Sequence, residues 1–323
     1  MNRFELARAT SASQARELLA EKAGAVFMAG GIDVLDHLKE HLIEPPRVVD
    51  LKTIPGLDRI TVEADGGLTI GPLATLAKVA DHADIRRSHP ALARACGEAA
   101  SPQIRNVATI GGNVLQRPRC WYYRLESYPC VKKGGDVCYA IAGENRYHVI
   151  FGGGPAYPPH PSNAAVALLA YGASFVLEGP KGRRTVAAGE FFVLPKDDPR
   201  RENVLEPGEL LLEIRVPAMA GVRSAYLDVR ERAGFDWPLV SAAIAVRPEG
   251  GIVREARVVL GQVAPIPWRS MRAEQALAGR ALEAAAIDAA ARAATVGAQP
   301  LSDNGYKVGL VATLVRRTLN LLA

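Results

Sequence analysis

The chain has 323 residues, 49% of them apolar and 23% charged, which suits a globular protein of two or three domains with a sizeable core. Its net charge of +5 comes from scattered Arg and Lys with no basic stripe interleaved with aromatics, which argues against nucleic-acid binding. No run of about 18 apolar residues occurs, so no membrane span is expected.

The N-terminal MNRFELARATSASQARELL carries Glu5 and no apolar signal-type core. A cytoplasmic protein is expected, periplasmic only if a partner subunit's signal carries it. Residues 11–22 predict a first helix, capped by Ser11 or Ser13, with Ala15, Leu18 and Leu19 on one face. The apolar run Ala25–Met28 predicts a short strand, Gly30–Gly31 a tight turn, and Val34 to Leu42 a helix. Strand, glycine turn and helix form the layout that points backbone N–H groups at an anion. A plain strand–helix connection fits the same residues. Residues 47–51 and 67–71 predict strands, and residues 73–83 and 90–99 helices, so the first hundred residues should alternate as α/β.

Residues 101–115 hold a Gly111–Gly112 turn between Thr109 and Asn113. The glycines remove side chains where a ligand must come close, and the hydroxyl and amide can bond phosphate or ribityl oxygens. The pattern is neither GxGxxG nor a phosphate-binding loop ending in Lys-Ser/Thr, which argues against a Rossmann NAD site and an ATPase. Cys120, Cys130 and Cys138 then crowd into 19 residues, a placement that suggests an inorganic cofactor. Four cysteines in this length do not make a disulfide scaffold. Cys96, in LARACGEAA, reads as a buried small hydrophobe.

Residues 163–176 predict a buried helix and a strand, residues 181–192 an edge hairpin, and residues 206–217 a strand ended by Pro217. Beyond Pro217–Gly221 the pattern changes. Strands at 224–230, 239–247 and 252–261 precede helices at 271–279, 283–297 and 305–322, an α+β arrangement. Arg230, Arg232 and Asp236 are expected to make structural ion pairs. No Ser-His-Asp set can be assembled.

Seven segments in this order carry a family likeness: AGGID at 29–33, IRNVATIGGNV at 104–114, HPSN at 160–163, ELLLEIRVP at 209–217, FDWPLVSAA at 235–243, PWRSMRAEQALAG at 267–279 and SDNGYKVGLVATLVRR at 302–317. The chain resembles the FAD-binding medium subunit of molybdenum hydroxylases, the xanthine dehydrogenase and carbon monoxide dehydrogenase type. The insert, with RCWYYR at 119–124 and YPC at 128–130, is similar to the 4-hydroxybenzoyl-CoA reductase and bacterial aldehyde oxidoreductase branch.

The resemblance implies an α+β chain. A two-subdomain FAD-binding domain of the vanillyl-alcohol oxidase type would span 1–218, with the insert at about 117–158. A C-terminal domain of the carbon monoxide dehydrogenase flavoprotein type would span 222–323. It implies non-covalent FAD. Phe27, Met28, Ala29, Gly30, Gly31, Ile32, Asp33 and Val34 would wrap the pyrophosphate. Ala108, Thr109, Gly112 and Asn113 would hold the pyrophosphate and ribityl region, Leu115 would approach the isoalloxazine, and Ser162 and Asn163 would lie near the adenosine ribose. Ile32 stands where relatives usually carry Thr, and Asn163 where they carry Asp.

The implied activity is that of an oxidoreductase subunit with no catalytic residue of its own. Electrons would come from a molybdenum cofactor in a large subunit and [2Fe–2S] clusters in a small subunit, and leave through FAD to an external acceptor. A self-contained flavin oxidoreductase of the same fold, or an assembly protein that kept it, are the alternatives. In cluster-bearing relatives the insert holds a [4Fe–4S] cluster, and Cys120, Cys130 and Cys138 match three of its ligands. Ala156 stands at the fourth. Several readings stay open: a cluster completed by another ligand such as His160, an incomplete [3Fe–4S] cluster, an empty loop, or a zinc site.

Overall fold

A computed structural model describes residues 1–232 and 234–323. The first unit is a small parallel sheet. It contains β1 (Glu5–Arg8), α1 (Ala12–Ala20), β2 (Val26–Met28), α2 (Val34–Lys39) and β3 (Arg47–Asp50), with strand order β1-β3-β2. Parallel neighbours need a crossover, and α1 and α2 supply it. Ser11 caps α1 by accepting from the Gln14 N–H.

The second unit runs through β4 (Ile60–Val62), β5 (Leu68–Ile70), α3 (Leu76–Asp81), α4 (Ala83–Ser88), α5 (Pro90–Gly97), α6 (Pro102–Arg105) and α7 (Ile110–Leu115). The insert contributes α8 (Trp121–Arg124) and a single 3-10 turn, Val131–Lys133. The unit is completed by α9 (Asn163–Tyr171), β6 (Ser174–Gly179), β7 (Gly182–Ala187), α10 (Ala188–Phe191) and β8 (Leu210–Val216). Its sheet has the order β4-β5-β8-β6-β7 and is antiparallel throughout. The expected α/β alternation therefore holds only as far as β3. The strand at 68–70 belongs to a different sheet from the one at 47–50, because it pairs with residues far along the chain.

The third unit comprises β9 (Arg223–Val229), β10 (Val240–Glu249), β11 (Ile252–Gly261), β12 (Trp268–Arg269), α11 (Met271–Leu277), α12 (Ala284–Ala293) and α13 (Tyr306–Asn320). Its antiparallel sheet is covered on both faces. Alternation along β10 and β11 sends Ala243 and Val259 into the core around α5 and α9. Ala242, Ile244, Val258 and Leu260 face a second core with α11, α12 and α13. The second and third units thus share one continuous core through α9, whose nine residues are all buried. Among the described residues no helix is long and apolar enough to cross a membrane.

Candidate functional site: a flavin cavity beside a cysteine insert

A cavity of ≈ 330 Å³ opens where the three units meet. One wall is the turn after β2. Gly31 adopts φ +79°, a conformation glycine takes without strain. Gly30 is required for a different reason. A Cβ there would lie 2.2 Å from the Val107 carbonyl oxygen, so the turn is pressed against the backbone of the opposite wall. The N–H groups of Gly30, Gly31, Ile32, Asp33 and Val34 find no protein acceptor among the described residues. Five consecutive free donors at the start of α2 form an anion cradle.

The opposite wall is α7, where the sequence suggested a glycine turn. Gly111 and Gly112 instead lie inside the helix, and Thr109 is its N-cap, accepting from the Gly112 N–H at 3.1 Å. The N–H groups of Ile110, Gly111 and Asn113 donate to Ala74, Pro72 and Thr109 carbonyls. This wall therefore offers side chains and bare surface rather than backbone donors. A Cβ on Gly111 would strike Pro72 at 2.6 Å, a packing constraint. A Cβ on Gly112 would meet only Thr109 Oγ1, at 3.0 Å, among atoms within 4 Å.

Of the residues singled out from sequence, Phe27, Ala29, Gly30, Gly31, Ile32, Asp33, Val34, Ala108, Thr109, Gly112, Asn113, Leu115 and Asn163 line this cavity. Met28 and Ser162 do not. Ser162 caps α9 through Ala165 N–H and donates to Asn113 Oδ1 at 2.6 Å, so it orients a lining residue. Asn163 Oδ1 accepts from Gln262 Nε2 at 3.3 Å. Leu57, Leu73, Ile104, Leu205, Arg119 and Trp237 also line the cavity and were not anticipated. Leu57, Leu73 and Leu205 come from loops distant in sequence and carried no prior signal, whereas Ile104, Arg119 and Trp237 sit in the IRNVATIGGNV, RCWYYR and FDWP segments of the family likeness.

Asp33 lines the cavity, yet its carboxylate is directed away from a ligand role. It accepts from Arg117 N–H (2.8 Å), Arg124 (2.7 Å) and Arg119 (3.0 Å). Burial raises its pKa, but the Arg119 and Arg124 charges and the Arg117 N–H outweigh that, and the group sits below its ordinary value. Asp36 takes the other guanidinium nitrogen of Arg124, at 2.6 Å. These two acids, one turn of α2 apart, bolt the start of the insert to the glycine turn.

The rest of the insert is held in the same way. Lys132 and Arg117 converge on buried Glu202 at 2.6 and 2.7 Å. Tyr122, Tyr128 and Tyr139 pack together, with Trp121 edge-on to His148 at 5.4 Å. Tyr123 lies under the Arg117 guanidinium, 5.0 Å from its ring centroid.

All four cysteines are free. Burial pushes the Cys120 thiol up to about 12, partly offset by the neighbouring Tyr122 and Tyr123 backbone. Burial also raises the Cys138 thiol, partly offset by the backbone of Ala140 and of Tyr157, which directly follows the fully buried Ala156. The histidine at the loop is His148, with Nε2 3.2 Å from Cys120 Sγ. His160, the other candidate from the sequence, packs edge-on against Phe192. Among the described residues no group of three or more His, Cys, Asp or Glu is arranged to hold a metal ion. A [4Fe–4S] cluster on four thiolates does not fit this donor set, because Ala156 cannot ligate; Cys120, Cys130 and Cys138 lie near enough that each charge acts on the next thiol.

A flavin dinucleotide does fit the cavity. The cradle at 30–34 supplies N–H donors for a pyrophosphate, and the remaining lining is largely apolar. The ionisable lining side chains, Asp33, Arg119, Glu209 and Asp236, are all committed to ion pairs among the described residues.

Comparison with known proteins shows the family. Residues 2–219 match the family described as FAD binding domain in molybdopterin dehydrogenase, and residues 225–322 match the CO dehydrogenase flavoprotein C-terminal domain. The chain is 35% identical to the aldehyde oxidoreductase FAD-binding subunit PaoB of Escherichia coli, over 99% of this chain and 96% of that one. It is 30% identical to the carbon monoxide dehydrogenase medium chain of Hydrogenophaga pseudoflava, over 98% of this chain and 96% of that one. A solved structure of carbon monoxide dehydrogenase from Hydrogenophaga pseudoflava superposes with a TM-score of 0.77 at 31% identity, covering 99% of this chain and 96% of the other. The chain belongs to the family of FAD-binding oxidoreductase subunits of molybdenum hydroxylases.

Proposed function

We propose that the chain binds FAD with its pyrophosphate on the Gly30–Val34 N–H groups and its ring system between Leu115 and the 235–238 loop. In that position it relays electrons from molybdenum and [2Fe–2S] centres of partner subunits to an external acceptor. The observation that carries this reading is the row of five N–H donors without protein acceptors, facing a largely apolar cavity. When bound, the flavin supplies the redox chemistry.

The protein's share is to hold and shield the cofactor. Thr109 and Asn113 present a hydroxyl and an amide beside the cradle. Leu57, Leu73 and Ile104 exclude water from the cavity. Among the described residues that line this cavity, Asp33, Glu209 and Asp236 are all ion-paired, so no unpaired carboxylate faces it for proton transfer to an organic substrate. This favours a relay over a self-contained flavin enzyme.

The test is purification followed by a visible spectrum and a flavin-to-protein ratio. One FAD per chain, with large and small subunits co-purifying, is the expected result. A colourless protein that does not take up added FAD would overturn the cofactor placement. A flavin-loaded chain that oxidises an organic substrate unaided would overturn the relay.

A further inference from the structure

Next to the flavin cavity lies a second one of ≈ 290 Å³, between the insert and the third unit. The two share Arg119, Pro161, Asp236, Trp237 and Pro238 as a common wall. Its other walls include Trp121, Tyr147 and Leu239, so much of the lining is apolar and aromatic. Its volume is at the low end for small-molecule sites.

The charges around it do not balance. Arg119 pairs with Asp33 at 3.0 Å, Arg232 with Asp236 at 3.1 Å, and Glu231 with Arg146 at 2.5 Å. His148 is neutral, because burial and the neighbouring Lys307 charge hold it down to about 4. Lys307 is left over. It is 1% exposed, and its ammonium donates to the Tyr147 and Gln262 carbonyls at 3.0 and 2.9 Å. No carboxylate reaches it among the described residues. An ammonium has three donors, so one remains for a ligand. Burial without a counter-ion lowers its pKa to about 7, which an adjacent anion would reverse.

A second polar group is also unmet. Gln262 is 2% exposed, and its Oε1 has no partner. Its backbone holds φ +59°, an uncommon conformation for a residue with a side chain.

We propose that this second cavity binds a small aromatic or apolar monocarboxylate, with its carboxylate on Lys307 and a ligand donor on Gln262 Oε1. One cation without a counter-ion calls for a monoanion. The Trp121, Tyr147 and Trp237 rings call for a flat apolar body. The Gln262 oxygen calls for a hydroxyl or N–H on that body. Because Trp237 lines both cavities, an occupant here touches the wall of the flavin site.

The test uses the purified flavin-loaded chain in isothermal titration calorimetry, whose signal does not depend on the flavin. Benzoate and 3-hydroxybenzoate are the anionic probes, and benzamide is the neutral isostere. Benzoate is expected to saturate with a Kd of about 1 mM or tighter. Benzamide should be weaker by roughly tenfold, the worth of one charge-assisted hydrogen bond. The hydroxyl of 3-hydroxybenzoate, free to donate to Gln262 Oε1, should tighten binding further. Lys307→Met keeps the buried stem and removes the charge, and should bind benzoate no better than wild type binds benzamide. No saturable benzoate uptake, equal affinity for benzamide, or wild-type affinity in folded Lys307→Met would each overturn the proposal. Should Lys307→Met not fold, the benzoate and benzamide comparison on wild type decides alone.

Discussion

Gly30→Ala tests how the flavin cavity is closed. The added Cβ would sit 2.2 Å from Val107 O, 3.0 Å from Val107 C and 3.2 Å from Ala108 Cα, all of them backbone atoms. Ordinary contact begins near 3.4 Å, so one wall must retreat by about an ångström. The Val107–Ala108 segment resists. Ala108 N–H donates to Ile104 O at 2.7 Å, and Ala108 O accepts from Leu76 N–H at 2.9 Å. The glycine turn therefore moves instead, carrying the 30–34 donors away from α7. Overpacking of this kind costs about 1–3 kcal/mol, which corresponds to roughly ten- to a hundredfold weaker FAD binding if it falls on the bound state. Fluorescence titration of apoprotein with FAD measures it. Gly182→Ala is the control, since Gly182 has φ +98° and nothing within 4 Å. It should lose about 1 kcal/mol of stability through backbone strain alone and keep its FAD affinity. A Gly30→Ala protein within twofold of wild type, or a Gly182→Ala protein equally impaired, would refute the reasoning.

Three further outcomes are expected. Gly112→Val should fold and lose FAD, because its side chain enters the cavity from a position hemmed only by Thr109 Oγ1; a normal flavin content would sink that placement. Asp33→Asn should lower stability by about 1–3 kcal/mol in urea unfolding, because it takes one of two carboxylates from the part-buried Arg119 and Arg124 guanidinium groups and leaves them Asp36 alone; an unchanged midpoint would show that the insert is held without it. Acid should destabilise the chain below pH 6.5. Burial holds His160 down to about 3 and His37 down to about 4, against an ordinary value of 6.5. The unfolded chain then takes up protons first, so stability present above pH 6.5 is lost as pH falls. Two protons give a slope of up to about 3 kcal/mol per pH unit, and a urea midpoint flat between pH 7 and 5 would contradict it.

Much of this was legible in the residues themselves. Ser11 caps α1, one of the two caps its sequence offered, because a hydroxyl there precedes an apolar face. The strand–glycine–helix layout at 25–39 is local chemistry, because a φ of +79° at Gly31 and a helix start at Val34 depend on neighbours in sequence. The strands-then-helices order of the last hundred residues was legible for the same reason. Tertiary structure decided the rest, because those choices depend on partners far along the chain. The pairing of β5 with β8 removed β4 and β5 from the first sheet. Packing of Gly111 on Pro72 and the cap from Thr109 made a helix where a Gly-Gly pair suggested a turn. Asp33 lines the cavity as expected from its place in the glycine turn, but only the fold shows that Arg119 and Arg124, more than eighty residues away, hold its carboxylate. His148 rather than His160 reached Cys120 because the chain folds back at Asn145, whose side chain donates to Ser302. Lys307 lies in the helix expected at 305–322, and only the fold buries it, with no carboxylate beside it among the described residues. Local propensity depends on the nearest few residues, whereas burial and pairing are properties of the assembled chain.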